Sequence, residues 1–215
     1  MNYTIFSIDD RRKAYTDEIR RQLDQSFHWK YSGTRGIDGS NPEILKYNLE
    51  RNHVEINTDD IKVGQLGIYL TVLNALWMDP GKQIVTFEDD AILHPLFNDI
   101  FWPITSELPR DTDAFALFLP RDQDHVFDES MMVGKHVCRA YQRYGGVSML
   151  WTPQGADKFL DLVERDGIID QWDNQLFKYA KAGEMNVYTQ RPGPNVLVSI
   201  TGQEISIVQE SETYK

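Results

Sequence analysis

Apolar and polar positions along the chain switch repeatedly between a two-residue and a roughly four-residue period. Residues 3–8 (YTIFSI) are a short β-rich run and predict a first strand, ended by Asp9 and Asp10. Over 12–25, Tyr15, Ile19 and Leu23 recur every fourth position among charges, the spacing of an amphipathic helix. Residues 27–31 (FHWKY) predict a second strand, which runs into the turn-rich stretch SGTRGIDG at 32–39. Asn41-Pro42 marks the start of a short helix around residues 43–49. Between 64 and 78, Leu66, Tyr69, Leu70, Leu73, Leu76 and Trp77 follow the pattern of a half-buried helix, stopped by Asp79-Pro80-Gly81. IVTF at 84–87 and AFALFL at 114–119 predict buried strands, and 147–151 predicts another after Gly145-Gly146. Thr152-Pro153 opens a helix with Ala156, Phe159, Leu160 and Val163 on one face. Asp173 is a candidate cap for a helix carrying Leu176, Phe177 and Ala180, and strands near 185–188 and 196–200 complete the set.

Strand and helix alternate for most of the length, which predicts an α/β sandwich with a mostly parallel central sheet. In such sheets ligands bind beyond the carboxyl ends of the strands. Three predicted ends carry polar clusters: Asp9-Asp10-Arg11-Arg12, Glu88-Asp89-Asp90 and Pro120-Arg121-Asp122.

Composition narrows the picture. With 215 residues, 41% of them hydrophobic, one domain can bury a sufficient core without staples. Cys138 is the sole cysteine, which removes a disulfide framework and a cysteine-rich zinc site and makes a reducing cytoplasm the expected home. The N-terminus, MNYTIFSIDDRR, has no apolar run of signal length, and no stretch is long and apolar enough to predict a membrane span. The net charge of −11 argues against a general nucleic-acid binder, although it leaves room for a local basic strip from Lys13, Arg20, Arg21, Lys30 and Arg35.

The acidic run is the most informative chemistry. Like charges bunched at a strand end raise one another's pKa, and a hard divalent cation removes that cost. Continued strand geometry would place Glu88 and Asp90 on one side. The plainer reading is a solvated strand end. Arg11 and Arg12 suit phosphate but also suit the exposed face of a helix, and Asp38 suits a base or ribose but also an Asx-turn.

Taken in order, these segments resemble glycosyltransferase family 25, the lipopolysaccharide-type and collagen-type galactosyltransferase group. The matching pieces are IFSIDDRRKAY, GIDG at 36–39, GQLGIYLTVLNALW at 64–77, IVTFEDDAIL at 84–93, GGVSMLWTPQGADKFL at 145–160 and IIDQWDNQLF at 168–177. The resemblance implies a GT-A fold over residues 1–215, with a nucleotide-sugar half at about 1–120 and an acceptor half at about 121–205, while the polar stretch 209–215 is expected to fray. It implies Mn²⁺ or Mg²⁺ on Asp90 and Glu88. The sugar nucleotide, first of all a UDP-hexose, would meet Arg11, Arg12, Asp38, Glu88 and Asp89. Transfer would go with inversion to a hydroxyl acceptor, most naturally a surface glycan such as a lipopolysaccharide core. Asp170 and Asp173 are the base candidates, and Trp172 and Tyr144 the acceptor contacts. Tyr141, Asp122 and Asp124 are outside candidates. Where the family carries Cys, Ser and His at the start of the helix, this chain has Ile68, Thr71 and Val72, and no histidine follows His136. A modified base in DNA is the less favoured acceptor. A degenerate fold that binds without catalysis is the non-enzymatic alternative.

Overall fold

The structure, a computed structural model, describes residues 1–8, 10–33, 36–118, 127–140, 145–192 and 197–200, apart from the side chain of Asp10. The expected features at Asp9, Arg35, 119–126 (with Arg121, Asp122 and Asp124), Tyr141, Tyr144 and 209–215 lie outside the described residues.

Seven strands form one sheet: β1 (Asn2–Phe6), β2 (Lys30–Tyr31), β3 (Ile84–Glu88), β5 (Ala114–Ala116), β6 (Val137–Arg139), β7 (Ser148–Trp151) and β8 (Val187–Gln190). Their order is β2-β1-β3-β7-β5-β8-β6. β2, β1, β3, β5 and β8 share one direction, while β7 and β6 run against it. The sheet is therefore mostly parallel, and β7 enters from the later half of the chain to sit between β3 and β5. A separate antiparallel pair joins β4 (Ala91–Leu93) to β9 (Val198–Ile200).

Alternate side chains of each strand go to opposite faces. Ile84 of β3 and Trp151 of β7 join a core with α3 (Val63–Met78), α5 (Pro153–Asp166) and α6 (Trp172–Ala182). Val85 and Phe87 instead join Tyr3, Ile5 and Phe115 in a second core under α1 (Lys13–Leu23) and α4 (Phe97–Thr105). The result is three layers, with helices covering both faces of the sheet.

Local chemistry sets the helix starts. Asn41 caps α2 (Pro42–Asn52) by accepting the Glu43 and Ile44 N–H groups, with Pro42 in the first position. Gln65 reaches back to accept the Lys62 N–H at the start of α3. Thr152 caps α5 through the Gly155 N–H. Gly155 has to be glycine, since a Cβ there would stand 1.9 Å from the Asp113 carbonyl oxygen.

Several expectations need correction. The second strand is only Lys30–Tyr31. Trp77 is 56% exposed, not part of the core face of α3. Asp173 does not cap α6; Gln171 holds that position and Asp173 lies one residue inside the helix. The helix α4 and the strands β4 and β6 are additions. Pro103 lies inside α4, where proline normally argues against a helix, yet Phe97, Phe101 and Ile104 anchor it in the core.

Candidate functional site

β1 and β3 are parallel neighbours with Phe6 opposite Glu88, so their carboxyl ends open on the same edge of the sheet. That register decides what meets there. The chain leaving β1 passes Ser7 and Ile8 and turns through a 3-10 helix, Asp10–Arg12, into α1. The chain leaving β3 turns at once at Asp89-Asp90 before β4 begins. Glu88 and Asp90 are therefore related by a turn and not by strand alternation, which corrects the sequence expectation.

A cleft of about 150 Å³ lies over this edge. Its apolar side is formed by Phe6, Ile8, Ile37, Val63 and Ile68. Its polar side carries Ser7, Arg12, Asp38, Ser40, Thr71 and the three acids Glu88, Asp89 and Asp90. Mostly apolar walls with a few convergent polar groups are the usual form of a small-molecule site.

The 36–40 loop is clamped between β1 and α3. Gly36 donates its N–H to the Ser7 carbonyl at 3.0 Å. Ile37 donates its N–H to Thr71 Oγ1 at 2.8 Å, and the Thr71 hydroxyl donates to the Gly67 carbonyl at 2.8 Å. A Cβ on Gly39 would stand 2.0 Å from the Val63 carbonyl oxygen, and one on Gly67 would stand 2.6 Å from that of Ile37. Two glycines thus allow the close approach, and one buried threonine ties it. Asp38 rides on this loop. Its Oδ1 accepts both the N–H and the hydroxyl of Ser40, at 2.9 and 2.7 Å. Asp38 is exposed and lines the cleft, so the Asx-turn and a ligand-facing position coexist in one residue.

Charge is concentrated in Arg12 and the acidic turn. Arg12 Nη1 lies 3.0 Å from Asp89 Oδ1 and 3.3 Å from Asp90 Oδ2. Glu88 points to the α3 side of the sheet with Thr86, and its backbone N–H bonds the Val147 carbonyl. Burial first, then repulsion from Asp90, Asp173 and Asp89, pushes the Glu88 carboxyl up to about 8. Arg12 opposes that rise.

Asp170, Trp172 and Asp173 stand at the start of α6 and do not line the cleft. Asp170 is paired with Lys178 at 2.7 Å and accepts from Asn174; these partners hold its carboxyl below the usual range despite partial burial. Asp173 is buried, and burial raises its carboxyl even though it accepts the Gly145 and Asn174 N–H groups. Trp172 is a core residue. It is 4% exposed, with its ring against Trp151 and across Gly146, where a Cβ would stand 1.8 Å from the indole. It presents no open face for a sugar, which corrects the acceptor-contact expectation.

Of the donor candidates, the structure brings together Arg12, Asp38, Glu88, Asp89 and Asp90. Arg11 sits on the same 3-10 turn but is exposed and outside the lining. Ser7, Ile8, Ser40, Ile68 and Thr71 line the cleft without having been singled out as ligand contacts. The only prior signal for Thr71 is its place one helical turn after Gly67, facing a glycine-rich loop.

The donor set suits a hard divalent cation. It offers carboxylate oxygens only, in mutual repulsion, at the mouth of a cleft. Among the described residues no three His, Cys, Asp or Glu side chains are grouped as a complete ligand set. A divalent cation bound here would take one or two protein oxygens and complete its shell from water or a bound ligand.

No protein-family model matches the chain, and a comparison with curated proteins finds no match. Among solved structures, mouse xyloside xylosyltransferase 1 in its apo form is similar at 11% identity and a TM-score of 0.42, over 86% of this chain and 70% of that one. An active-site mutant of LgtC is similar at 10% identity and a TM-score of 0.44, over 87% and 72%. Likenesses at that level carry no weight for the site, which stands on its own geometry. No helix among the described residues is long and apolar enough to cross a membrane.

Proposed function

We propose that the chain is a glycosyltransferase of GT-A type that takes a nucleotide sugar, first of all a UDP-hexose, and transfers the sugar to a hydroxyl acceptor. The observation that carries this reading is the Phe6–Glu88 register, which opens the GIDGS loop, Arg12 and the acidic turn onto one cleft with an apolar wall. The base would lie against Ile8, Ile37 and Ile68, Asp38 would accept from base or ribose, and Arg12 would meet the diphosphate by its fork.

Mn²⁺ or Mg²⁺ held by Asp90, with Glu88 as the second ligand, would neutralise the departing diphosphate. The chain's own residues supply the rest. A carboxylate takes the proton of the acceptor hydroxyl as its oxygen attacks the anomeric carbon, and the carbon–oxygen bond to the diphosphate breaks with inversion. Asp173 is the base candidate of the two because its charge reaches Glu88 at the cleft, although neither aspartate lines the cleft itself. A surface glycan is the favoured acceptor, and the cytoplasm, where a reducing environment suits a lone cysteine, is the favoured location.

A thermal-shift panel tests this directly. UDP-, GDP- and CMP-sugars are each measured with Mn²⁺, Mg²⁺ or EDTA. A selective rise in melting temperature that needs the metal is the expected result, since ligands of the native state stabilise it by mass action. No shift with any nucleotide would turn the reading to a non-catalytic binding fold.

A further inference from the structure

The acidic turn already has a cation. Asp89 and Asp90 converge on one guanidinium nitrogen of Arg12, at 3.0 and 3.3 Å, and the three side chains are only 13%, 16% and 20% exposed for Arg12, Asp89 and Asp90. Glu88 and the nearby Asp173 add to the negative charge around Arg12.

A divalent cation bound by this turn would seek the same oxygens. Arginine stays protonated at any working pH, so it cannot give up its charge to make room. A guanidinium and a divalent ion within a few ångströms repel strongly at the low effective dielectric of a part-buried site. One must leave before the other binds.

We propose that Arg12 is the resident counter-cation of the acidic turn, which a divalent metal ion must displace from Asp89 and Asp90, so that metal entry and release of the Arg12 head group are a single event. The displaced guanidinium borders the same cleft, where a phosphate would receive it. Metal and nucleotide then bind with positive coupling, and the coupling acts equally in both directions. That last consequence rests on the nucleotide-sugar reading of the cleft; the competition between Arg12 and metal does not.

The test uses Mn²⁺ alone on the EDTA-stripped full chain, with bound ion counted by electron paramagnetic resonance. Arg12→Gln is expected to bind Mn²⁺ about ten-fold tighter than wild type or better, because the competing charge is gone. Arg12→Lys keeps a charge but loses the planar fork, and is expected to fall between, at about a three-fold gain. Adding Asp90→Asn to Arg12→Gln is expected to erase the gain. Equal or weaker Mn²⁺ binding in both single variants overturns the proposal, as does a gain that survives Asp90→Asn. Arg12→Lys decides the matter alone if Arg12→Gln does not fold. Displacement of Arg12 by Mn²⁺ without binding of any sugar nucleotide would sink the transferase reading and leave this one standing. Nucleotide-sugar binding with Mn²⁺ affinity indifferent to Arg12 would do the reverse.

Discussion

Thr71 shows how one side chain can set a cleft. Its hydroxyl is buried, accepts the Ile37 N–H and donates its own O–H to the Gly67 carbonyl. Thr71→Val keeps the shape and strands the Ile37 N–H, at a cost of about 1–3 kcal/mol for an unmade buried bond. Urea melts should show that loss, donor affinity should fall with it, and Thr71→Ser should restore both. The two aspartates at α6 separate in the same way. Asp173→Asn should leave metal-dependent donor binding intact and lose transfer, whereas Asp170→Asn should mainly loosen the Lys178 contact and lower the melting temperature slightly. Single-turnover assays against donor-binding assays distinguish the two. At Asp90 the opposite split is expected: Asp90→Ala should abolish the metal-dependent part of donor binding, and unchanged donor affinity would refute the metal assignment.

At the level of elements, much of the fold is readable from the chain. β1, α3, β3, α5 and the Asn41 and Thr152 caps follow from apolar periodicity and capping chemistry acting within a few residues. α4 does not, because Pro103 signals a break and the helix is held instead by Phe97 and Phe101 stacking 5.2 Å apart in the core. β4 and β6 are three residues each and exist through pairing with β9 and β8, partners far along the chain. The site divides along the same line. Acids after an apolar strand are visible as a motif, but their turn, their closeness to Arg12 and the clamp on the GIDGS loop depend on contacts between distant segments. Trp172 between two aspartates looked like a sugar platform; only the crossing of Gly146 over its ring shows it to be core. A further amide ladder joins α2 to α3. Asn74 donates to Asn48 Oδ1 at 2.8 Å and accepts from Asn52 at 3.1 Å. Asn74→Leu should leave two buried amides short of partners and lower stability by about 1–3 kcal/mol, read as a fall in denaturation midpoint with an unchanged slope.

For the whole molecule, the balance of titrating groups sets a pH profile. Glu88 has its folded pKa raised to about 8, so the folded chain holds a proton that the unfolded chain releases near the ordinary glutamate value. Its contribution is complete at acid pH and is lost as pH rises toward 8. Asp79, Glu107 and Asp170 are held low, by Ser32 and Lys82, by His136, and by Lys178 and Asn174 respectively, against burial. Their contributions are present above the ordinary carboxylate range and are lost as pH falls through it. In EDTA the melting temperature should therefore peak on the acid side of neutrality and decline toward pH 8, and Glu88→Gln should flatten the alkaline decline. The net charge of −11 adds a second whole-molecule expectation, namely no retention of unmodified duplex DNA in a gel-shift assay at physiological salt.

The pairing of Ala91 with Ile200 carries a consequence for how the protein comes into being. The strand that directly follows the acidic turn finds its partner more than a hundred positions later in the chain, and β3 itself waits for β7. Such distant closures are slow to form and come late. During synthesis β1, β2 and β3 can pair with one another as the first half of the chain emerges, but the other edge of β3 and the strand β4 gain their neighbours only once residues 148–151 and 198–200 have left the ribosome. The binding wall is among the last parts of the molecule to become whole, and a nascent chain halted midway would display it unfinished, edge exposed and prone to association.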